Sequence, residues 1–373
     1  MSESVLVTGG AGFIGSHLVD ALVARGDRVR VVDNLLPQAH PTGTPRHVSK
    51  DAEFRLADVR DRAAMDDALN GIDVAFHLAG MVGNGQSMFD VRRYVDVNVT
   101  GTATLLEAMA ARGDGIRAHV MASSMVVYGD GAYECPRHGR LRSVERPEAR
   151  LAARRWEPVC PVCGEEVTPL ATTEDQPLAP TSTYGISKLA QEQLALTLGR
   201  AFGLPTVALR LLNVYGSRQA LSNPYTGVAA IMTTRLLNGK PPIVFEDGGQ
   251  RRDLVHVADV VSALIAAADA VAVAHGQPIN IGTGRSSTIA DIARLLSRTL
   301  GLSIEPHISG EYREGDIRHC FADVARARAL LGWQARTRFE QGVHELATWA
   351  SNECATDLTE QANAELRARG LIR

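Results

Sequence analysis

Thr8-Gly9-Gly10-Ala11-Gly12-Phe13-Ile14-Gly15 is the stretch that decides the fold of this 373-residue chain. It follows the apolar run Ser4-Val5-Leu6-Val7 and opens a segment, Phe13 to Ala24, in which Ile14, Leu18 and Leu22 recur at helical spacing before Arg25-Gly26. Gly9, Gly12 and Gly15 thus stand at three-residue intervals between a strand and a helix. The first permits a tight turn, the second lets the backbone approach a pyrophosphate at a helix N-terminus, and the third lets helix and strand pack closely. Asp33 ends the next apolar run, Val29 to Val32, 18 residues after Gly15. A carboxylate there accepts from both ribose hydroxyls and repels a 2′-phosphate, so the pattern predicts NAD rather than NADP. Phe13, Ile14 and Asn34 flank these anchors and are counted with the cofactor contacts. Asp58-Val59 can meet the adenine; Asp58 reads equally well as the N-cap of a helix over Arg60 to Leu69.

Outward from this motif, short apolar runs alternate with amphipathic segments. Strands are predicted at Phe54 to Leu56, Val74 to Leu78, His119 to Ser124, Thr206 to Leu211 and Ile279 to Ile281. Helices are predicted at Tyr94 to Ala111, Tyr184 to Phe202, Val228 to Leu237, Val255 to Ala268, Ile289 to Leu300 and Val324 to Leu331. Such alternation implies an α/β fold, a doubly wound parallel sheet of Rossmann type. The expected division is an NAD-binding domain over 1–212, interrupted by an insert at 131–173, and a smaller C-terminal α/β substrate domain over 213–373. Residues 255–283 are expected to pack back onto the first domain.

Composition narrows the partners. With 39 basic and 42 acidic residues the formal charge is −3, which leaves no footprint for nucleic acid or an anionic membrane. No run of about 20 uncharged apolar residues offers a membrane span. The N-terminus runs straight into a strand pattern with no basic leader, so a cytoplasmic location is expected.

The chain has three lysines, and Lys188 lies four residues after Tyr184 in Thr183-Tyr184-Gly185-Ile186-Ser187-Lys188. With seven tyrosines, a chance Tyr-x-x-x-Lys is expected about 0.06 times. On a helix the pair shares one face, and an ammonium there stabilises tyrosinate, which can take a proton from a sugar alcohol. These motifs resemble the extended short-chain dehydrogenase/reductases, in the branch of nucleotide-sugar epimerases and dehydratases, over about residues 4 to 335 apart from the insert. The resemblance implies a catalytic set of Ser124, Tyr184 and Lys188, with Ser124 carried by Ser123-Ser124-Met125-Val126-Val127-Tyr128-Gly129. It implies that Leu78 and Ala79, in His77-Leu78-Ala79-Gly80, and Asn98 line the cofactor, together with Tyr184 and Lys188. It implies substrate contacts from Met125 and Asn213, and from Arg252, Arg313 and Arg318 toward the substrate diphosphate. A homodimer through the Tyr94 and Tyr184 helices is also implied.

Within that family the residues after the catalytic hydroxyl discriminate between reactions. Dehydratases need an Asp-Glu pair to move protons; Met125-Val126 cannot, and Val126 also counts against decarboxylation. What remains is chemistry that needs Tyr, Ser and NAD alone: C4 epimerisation, with NAD held tightly. The stretches around 79–88 and 221–228 look most like the group acting on dTDP-6-deoxyhexoses of the dTDP-L-rhamnose type. The alternatives are a UDP-hexose 4-epimerase, a reductase or decarboxylase on the same scaffold, and a non-catalytic NAD-binding interaction protein.

The insert carries Cys135-Pro136-Arg137-His138 and Cys160-Pro161-Val162-Cys163, with seven arginines between 137 and 155. Two knuckles with two-residue spacers predict a closed structural zinc site of Cys135, His138, Cys160 and Cys163. Cys320 and Cys354 are predicted plain thiols.

Overall fold

The computed structural model describes residues 2–373 apart from 42, 44, 46, 113 and 114. Seven parallel strands form the central sheet: β1 (Ser4–Thr8), β2 (Arg28–Asp33), β3 (Glu53–Leu56), β4 (Val74–His77), β5 (Ala118–Ser124), β6 (Thr206–Leu211) and β7 (Pro278–Ile281). Their spatial order is β3-β2-β1-β4-β5-β6-β7. The direction in which successive strands are added reverses between β1 and β4, so the carboxyl ends of these strands open onto a crevice at a topological switch point. Val5, Val7, Phe76, Val120, Val207 and Leu209 are buried under one layer of helices, and Leu6, Val32, Ala75, Met121 and Ala208 under the other. That burial on both faces is why the strands read as continuous apolar runs.

The predicted strands lie within two residues of those observed, and three helical segments differ in an instructive way. The segment expected as one helix from Tyr94 is a turn of α-helix (Val91–Tyr94), a turn of π-helix (Val95–Thr100) and an α-helix (Gly101–Ala110). Val255 is not helical. Leu254–His256 is a strand paired with Asn213–Tyr215, and His256 caps the helix Val257–Asp269, its side chain accepting from Ala258 N–H. The helix expected from Arg60 spans Arg62–Ala68 and is capped by Asp61, not Asp58. Two longer helices were not anticipated, Phe339–Ser351 and Thr359–Ala368, nor were the short helical turns Asn84–Ser87, Glu148–Ala152 and Val271–Ala274. Val257–Asp269 packs on Phe13–Arg25, and β7 is the edge strand of the sheet.

The insert is ordered around a three-stranded antiparallel sheet, with Ala132–Cys135 between Gly139–Leu141 and Thr168–Leu170. Its own apolar cluster is small: Tyr133, Cys135, Leu141, Cys160 and Val167, with Val144 and Cys163 against it.

Candidate active site

A cleft of about 1530 Å³ runs across the carboxyl ends of the strands and on between the helices of the C-terminal region. A single small-ligand site occupies about 300–1,000 Å³, so the cleft has room for two ligands end to end. One half is lined by Gly9, Gly12, Phe13, Ile14, Gly15, Asp33, Asn34, Val59, Leu78 and Ala79. Gly12 caps the helix Phe13–Arg25 without any side-chain acceptor, so the helix meets the cleft with unsatisfied N–H groups. A Cβ on Gly15 would lie 2.2 Å from the Gly9 carbonyl oxygen, so the turn closes only around glycine. Asp33 accepts from Ala11 N–H (3.1 Å) and Leu35 N–H (2.9 Å). A carboxylate offers about four acceptor positions, which leaves two for a pair of ribose hydroxyls. The residues present therefore fit a dinucleotide with a free ribose 2′-hydroxyl.

Two expected cofactor contacts sit elsewhere. Asp58 does not line the cleft; its carboxylate is taken by Arg60 (2.8 Å) and by Asn34 (2.9 Å). Those hydrogen bonds, from Arg60 first, hold it well below the usual carboxylate range. Asn98 is fully buried behind the wall: Oδ1 accepts from Met81 N–H (2.7 Å), and Nδ2 donates to the Met81 carbonyl (3.1 Å) and to Ser187 Oγ (2.9 Å). It ties the loop after β4 to the Tyr184 helix instead of touching the cavity.

Ser124, Met125, Val126, Tyr184 and Lys188 meet at the middle of the cleft. Ser124 ends β5, its Oγ accepts from Val126 N–H (3.4 Å), and its hydroxyl acts on the Tyr184 phenol to lower its pKa. Tyr184 sits in the first turn of the helix Thr183–Ala201, whose cap Ser182 accepts from Gly185 N–H (3.1 Å) and donates to Asn84 Oδ1 (3.0 Å). Ser87 Oγ accepts from Tyr184 N–H (3.0 Å). At Gly185 a Cβ would come within 2.9 Å of the Val126 carbonyl oxygen, so glycine here lets the helix close on the turn that carries Ser124. Ser87, Asn84 and Gly185 went unread in the sequence; Gly185, inside the Tyr-x-x-x-Lys motif, was the one visible signal.

Burial pushes Tyr184 up to about 12, against the hydrogen bond from Ser124 that lowers it. Burial also brings Lys188 down to about 8, opposed by the Glu192 carboxylate. Lys188 Nζ donates to the Ala122 carbonyl (2.6 Å). Glu192 is itself locked by Arg210 (2.6 Å) and Ser123 (2.6 Å), so this charge arrangement is rigid.

The far half of the cleft is lined by Asn213, Tyr215, Gln219, Gln250, Arg252, Arg313 and Asn363, among others. Among the described residues, Asn213 Oδ1, Tyr215 Oη, Gln219 Oε1, Gln250 Oε1 and Asn363 Nδ2 are buried with no protein partner. Buried polar atoms are nearly always satisfied, so four unpartnered amide side chains lining one cavity mark a site for a polar ligand, whereas Tyr215 Oη lies against Gly342. Asn363 comes from the unanticipated last helix. Arg252 and Arg313 reach the cleft, but Arg318 does not. Arg318 is 1% exposed and holds Glu157 (2.5 Å), Glu246 (2.8 Å) and Asp247 (2.7 Å). That correction has a simple cause: three carboxylates from distant parts of the chain converge on its guanidinium.

In the insert, His138 Nδ1 lies 3.5 Å from Cys135 Sγ and 3.4 Å from Cys160 Sγ, and the Cys135 and Cys163 sulfurs are 3.7 Å apart. All four ligand atoms lie within 4.8 Å of one another.

Residues 5–148 and 160–282 match the model of the NAD dependent epimerase/dehydratase family. The chain belongs to that family. It is 36% identical to a dTDP-L-rhamnose 4-epimerase of Burkholderia thailandensis, over 94% of this chain and 96% of that one. A putative UDP-glucose 4-epimerase of Methanocaldococcus jannaschii is 31% identical over 94% and 100%. Among solved structures, a Thermotoga maritima UDP-glucose 4-epimerase with UDP-glucose superposes with TM-score 0.74 at 31% identity, covering 93% of this chain and 98% of that one. A Bacillus cereus UDP-glucuronic acid 4-epimerase in complex with UDP-glucuronic acid and NAD does so with TM-score 0.74 at 26% identity over the same shares. This family member is an NAD-dependent epimerase of nucleotide sugars. The residues skipped by the family match, 149–159, lie inside the insert. Among the described residues no helix is long and apolar enough to cross a membrane.

Proposed function

We propose that this enzyme inverts C4 of a dTDP-linked 6-deoxyhexose of the dTDP-L-rhamnose type. The observation that carries the reading is the pairing of Ser124 and Tyr184 with buried, apolar Met125 and Val126 on one cleft wall. Beyond Ser124, Tyr184 and Lys188, the side chains beside the reacting carbon have no proton to give or take, so the residues support oxidation and re-reduction and no elimination. The 36% identity to a dTDP-L-rhamnose 4-epimerase favours the sugar.

On this reading residues 1–212 hold NAD, and residues 213–373, apart from 255–283, hold the sugar nucleotide. When bound, oxidised nicotinamide supplies a reversible hydride acceptor. Tyr184 takes the proton of the C4 hydroxyl, and Ser124 hydrogen-bonds the same oxygen and holds it in place. Lys188 keeps positive charge beside the phenolate. Arg252 and Arg313 hold the diphosphate while the 4-keto sugar turns; Asn213 contacts the nucleotide sugar. Once the ring has turned, C4 regains hydride on its opposite face while Tyr184 returns its proton to the C4 oxygen, and the apolar Met125 and Val126 let the ring swing.

The reading includes a structural zinc ion on Cys135, His138, Cys160 and Cys163. Tetrahedral zinc spaces thiolate and imidazole donors about 3.5–3.8 Å apart, close to the separations in the insert. It also includes a cytoplasmic homodimer.

The test incubates the purified enzyme with dTDP-L-rhamnose and a panel of dTDP- and UDP-hexoses, product stereochemistry being read by NMR. The expected product is the C4 epimer of the dTDP-6-deoxyhexose with no net NADH. Turnover of UDP-hexoses alone would move the enzyme to another substrate class, and net NADH or CO₂ would overturn epimerisation.

A further inference from the structure

The strip 313–318 stations both cleft arginines. Arg252 donates through Nη2 to the Ile317 carbonyl (2.5 Å) and through Nη1 to the Arg318 carbonyl (3.0 Å). Arg313 is paired with Asp316 (2.8 Å) and lies over the Phe245 ring, 4.6 Å from its centroid. The positions of these two guanidinium groups are therefore those of residues 316–318.

What holds that strip is the insert and its root. Asp130, at the base of the insert, accepts from Arg318 N–H (2.7 Å). Arg146 donates to the Asp316 carbonyl (3.0 Å) and pairs with Glu246, and its side chain is nearly all buried. Glu157 grips Arg318 with one carboxylate oxygen (2.5 Å) and His319 Nε2 with the other (2.9 Å). Glu246, between Arg146 and Arg318, sits at φ +54, a left-handed backbone held by these surroundings. Arg146 and Glu157 lead directly into the Cys/His cluster. Their neighbours Glu145 and Val159 form a β-bridge, Val159 also bridges to Glu166, and Cys160 follows Val159.

We infer that the zinc-clamped insert is a brace for the diphosphate end of the substrate site, with Arg146 and Glu157 as positioning residues for Arg252 and Arg313. This rests on the zinc and nucleotide-sugar readings above. Neither Arg146 nor Glu157 lines the cleft, so their influence passes through the strip. With so small an apolar cluster of its own, the insert depends on a metal for order. Loss of the ion then loosens Arg146 and Glu157, and the two arginines lose their register.

The experiment uses the full chain purified without chelator. Zinc per chain is measured, and calorimetry gives the affinities for dTDP and UDP in wild type, Arg146→Met, Glu157→Gln and Cys160→Ser. Bound NAD, kcat and KM are measured on the same samples. The expected result is about one zinc per chain, and a dTDP affinity at least about tenfold weaker in all three variants. KM should rise while kcat and NAD content stay near wild type, a split that general unfolding would not produce. Arg146→Met and Glu157→Gln leave the metal ligands intact, so they decide the matter if Cys160→Ser does not fold. Unchanged nucleotide affinity in both overturns the brace. A wild-type protein without zinc overturns the metal clamp even if both weaken binding. Wild-type protein that binds UDP but not dTDP revises the nucleobase and leaves the brace standing, and binding of neither overturns the substrate site and the brace together.

Discussion

Two opposed shifts define Tyr184 and Lys188. Burial raises the phenol to about 12 and lowers the ammonium to about 8, so the protein alone holds the proton on tyrosine and leaves the lysine poised near neutrality. Replacing Tyr184 by Phe removes the proposed proton acceptor and little volume; kcat should fall by about 10²–10⁴-fold while NAD remains bound, as read from the 260/340 nm spectrum after reduction. Substantial turnover by Tyr184→Phe would show that the base lies elsewhere. Lys188 sets the alkaline side. Its charged form is lost as pH rises through about 8, so kcat/KM should decline above that pH, and Lys188→Met should be slow throughout and lack that limb. A wild-type profile flat to pH 10 would contradict this. That both line the cleft from one helix was legible from the sequence, because four-residue spacing on a helix is local. Arg318 was misread because its partners Glu157, Glu246 and Asp247 are separated from it by 71 to 161 positions, and no local pattern records them.

Strands β4 and β5 carry two buried histidines inside the sheet. His77 is held by Thr8 Oγ1 (2.8 Å) and Thr102 Oγ1 (2.8 Å), and His119 faces Thr206 Oγ1 (3.4 Å). Burial lowers His119 to about 4, and His77 well below its ordinary value. The unfolded chain titrates its histidines near 6.5, so between that pH and about 4 it binds protons that the folded chain refuses. The stability tied to neutral His119 is fully present above pH 6.5 and is lost as pH falls toward 4, about 1–2 kcal/mol by pH 5. His77 acts in the same direction. Urea unfolding at pH 5 to 8 should show this slope, and His119→Phe should flatten it by about one proton; an unchanged slope would place the acid sensitivity elsewhere. At this scale the sheet was readable because buried parallel strands are short apolar runs with glycine turns. The C-terminal helices were overlooked despite a regular signal. Phe339, Val343, Leu346, Ala347 and Ala350 are one buried face, but the family motifs end before them. The π-turn at Val95–Thr100 had no readable cause, since its register is set by Asn98 reaching Met81 and Ser187.

At the scale of the whole molecule, one cleft joins the dinucleotide end, built by local glycine and strand patterns, to a substrate end assembled from segments far apart in sequence. That contrast explains why the cofactor half was legible and the substrate half only partly so. Asn213 follows the predicted strand Thr206–Leu211 and Arg252 was reached through the family resemblance alone, while Gln250 and Asn363 meet in the cavity only after the chain has folded. The outer face raises a further question. The segment Val91–Ala110 and the helix Thr183–Ala201 pack against each other, yet Val91 (47% exposed), Val95 (41%) and Ile186 (55%) point outward from them. Three large apolar side chains on two adjacent helices are what a four-helix interface with a second copy would cover. In sedimentation velocity the wild-type chain should therefore run at about twice its 40.0 kDa mass. Ile186→Glu and Val95→Glu should shift it toward a single chain, because each would bury an unpaired charge at the proposed two-fold contact. Tyr184 is two residues from Ile186 on the same helix, so separation of the subunits should also loosen the catalytic turn and lower kcat. A wild-type particle of one chain's mass would remove the dimer from this account, and a Glu variant that stays dimeric would move the interface to another face.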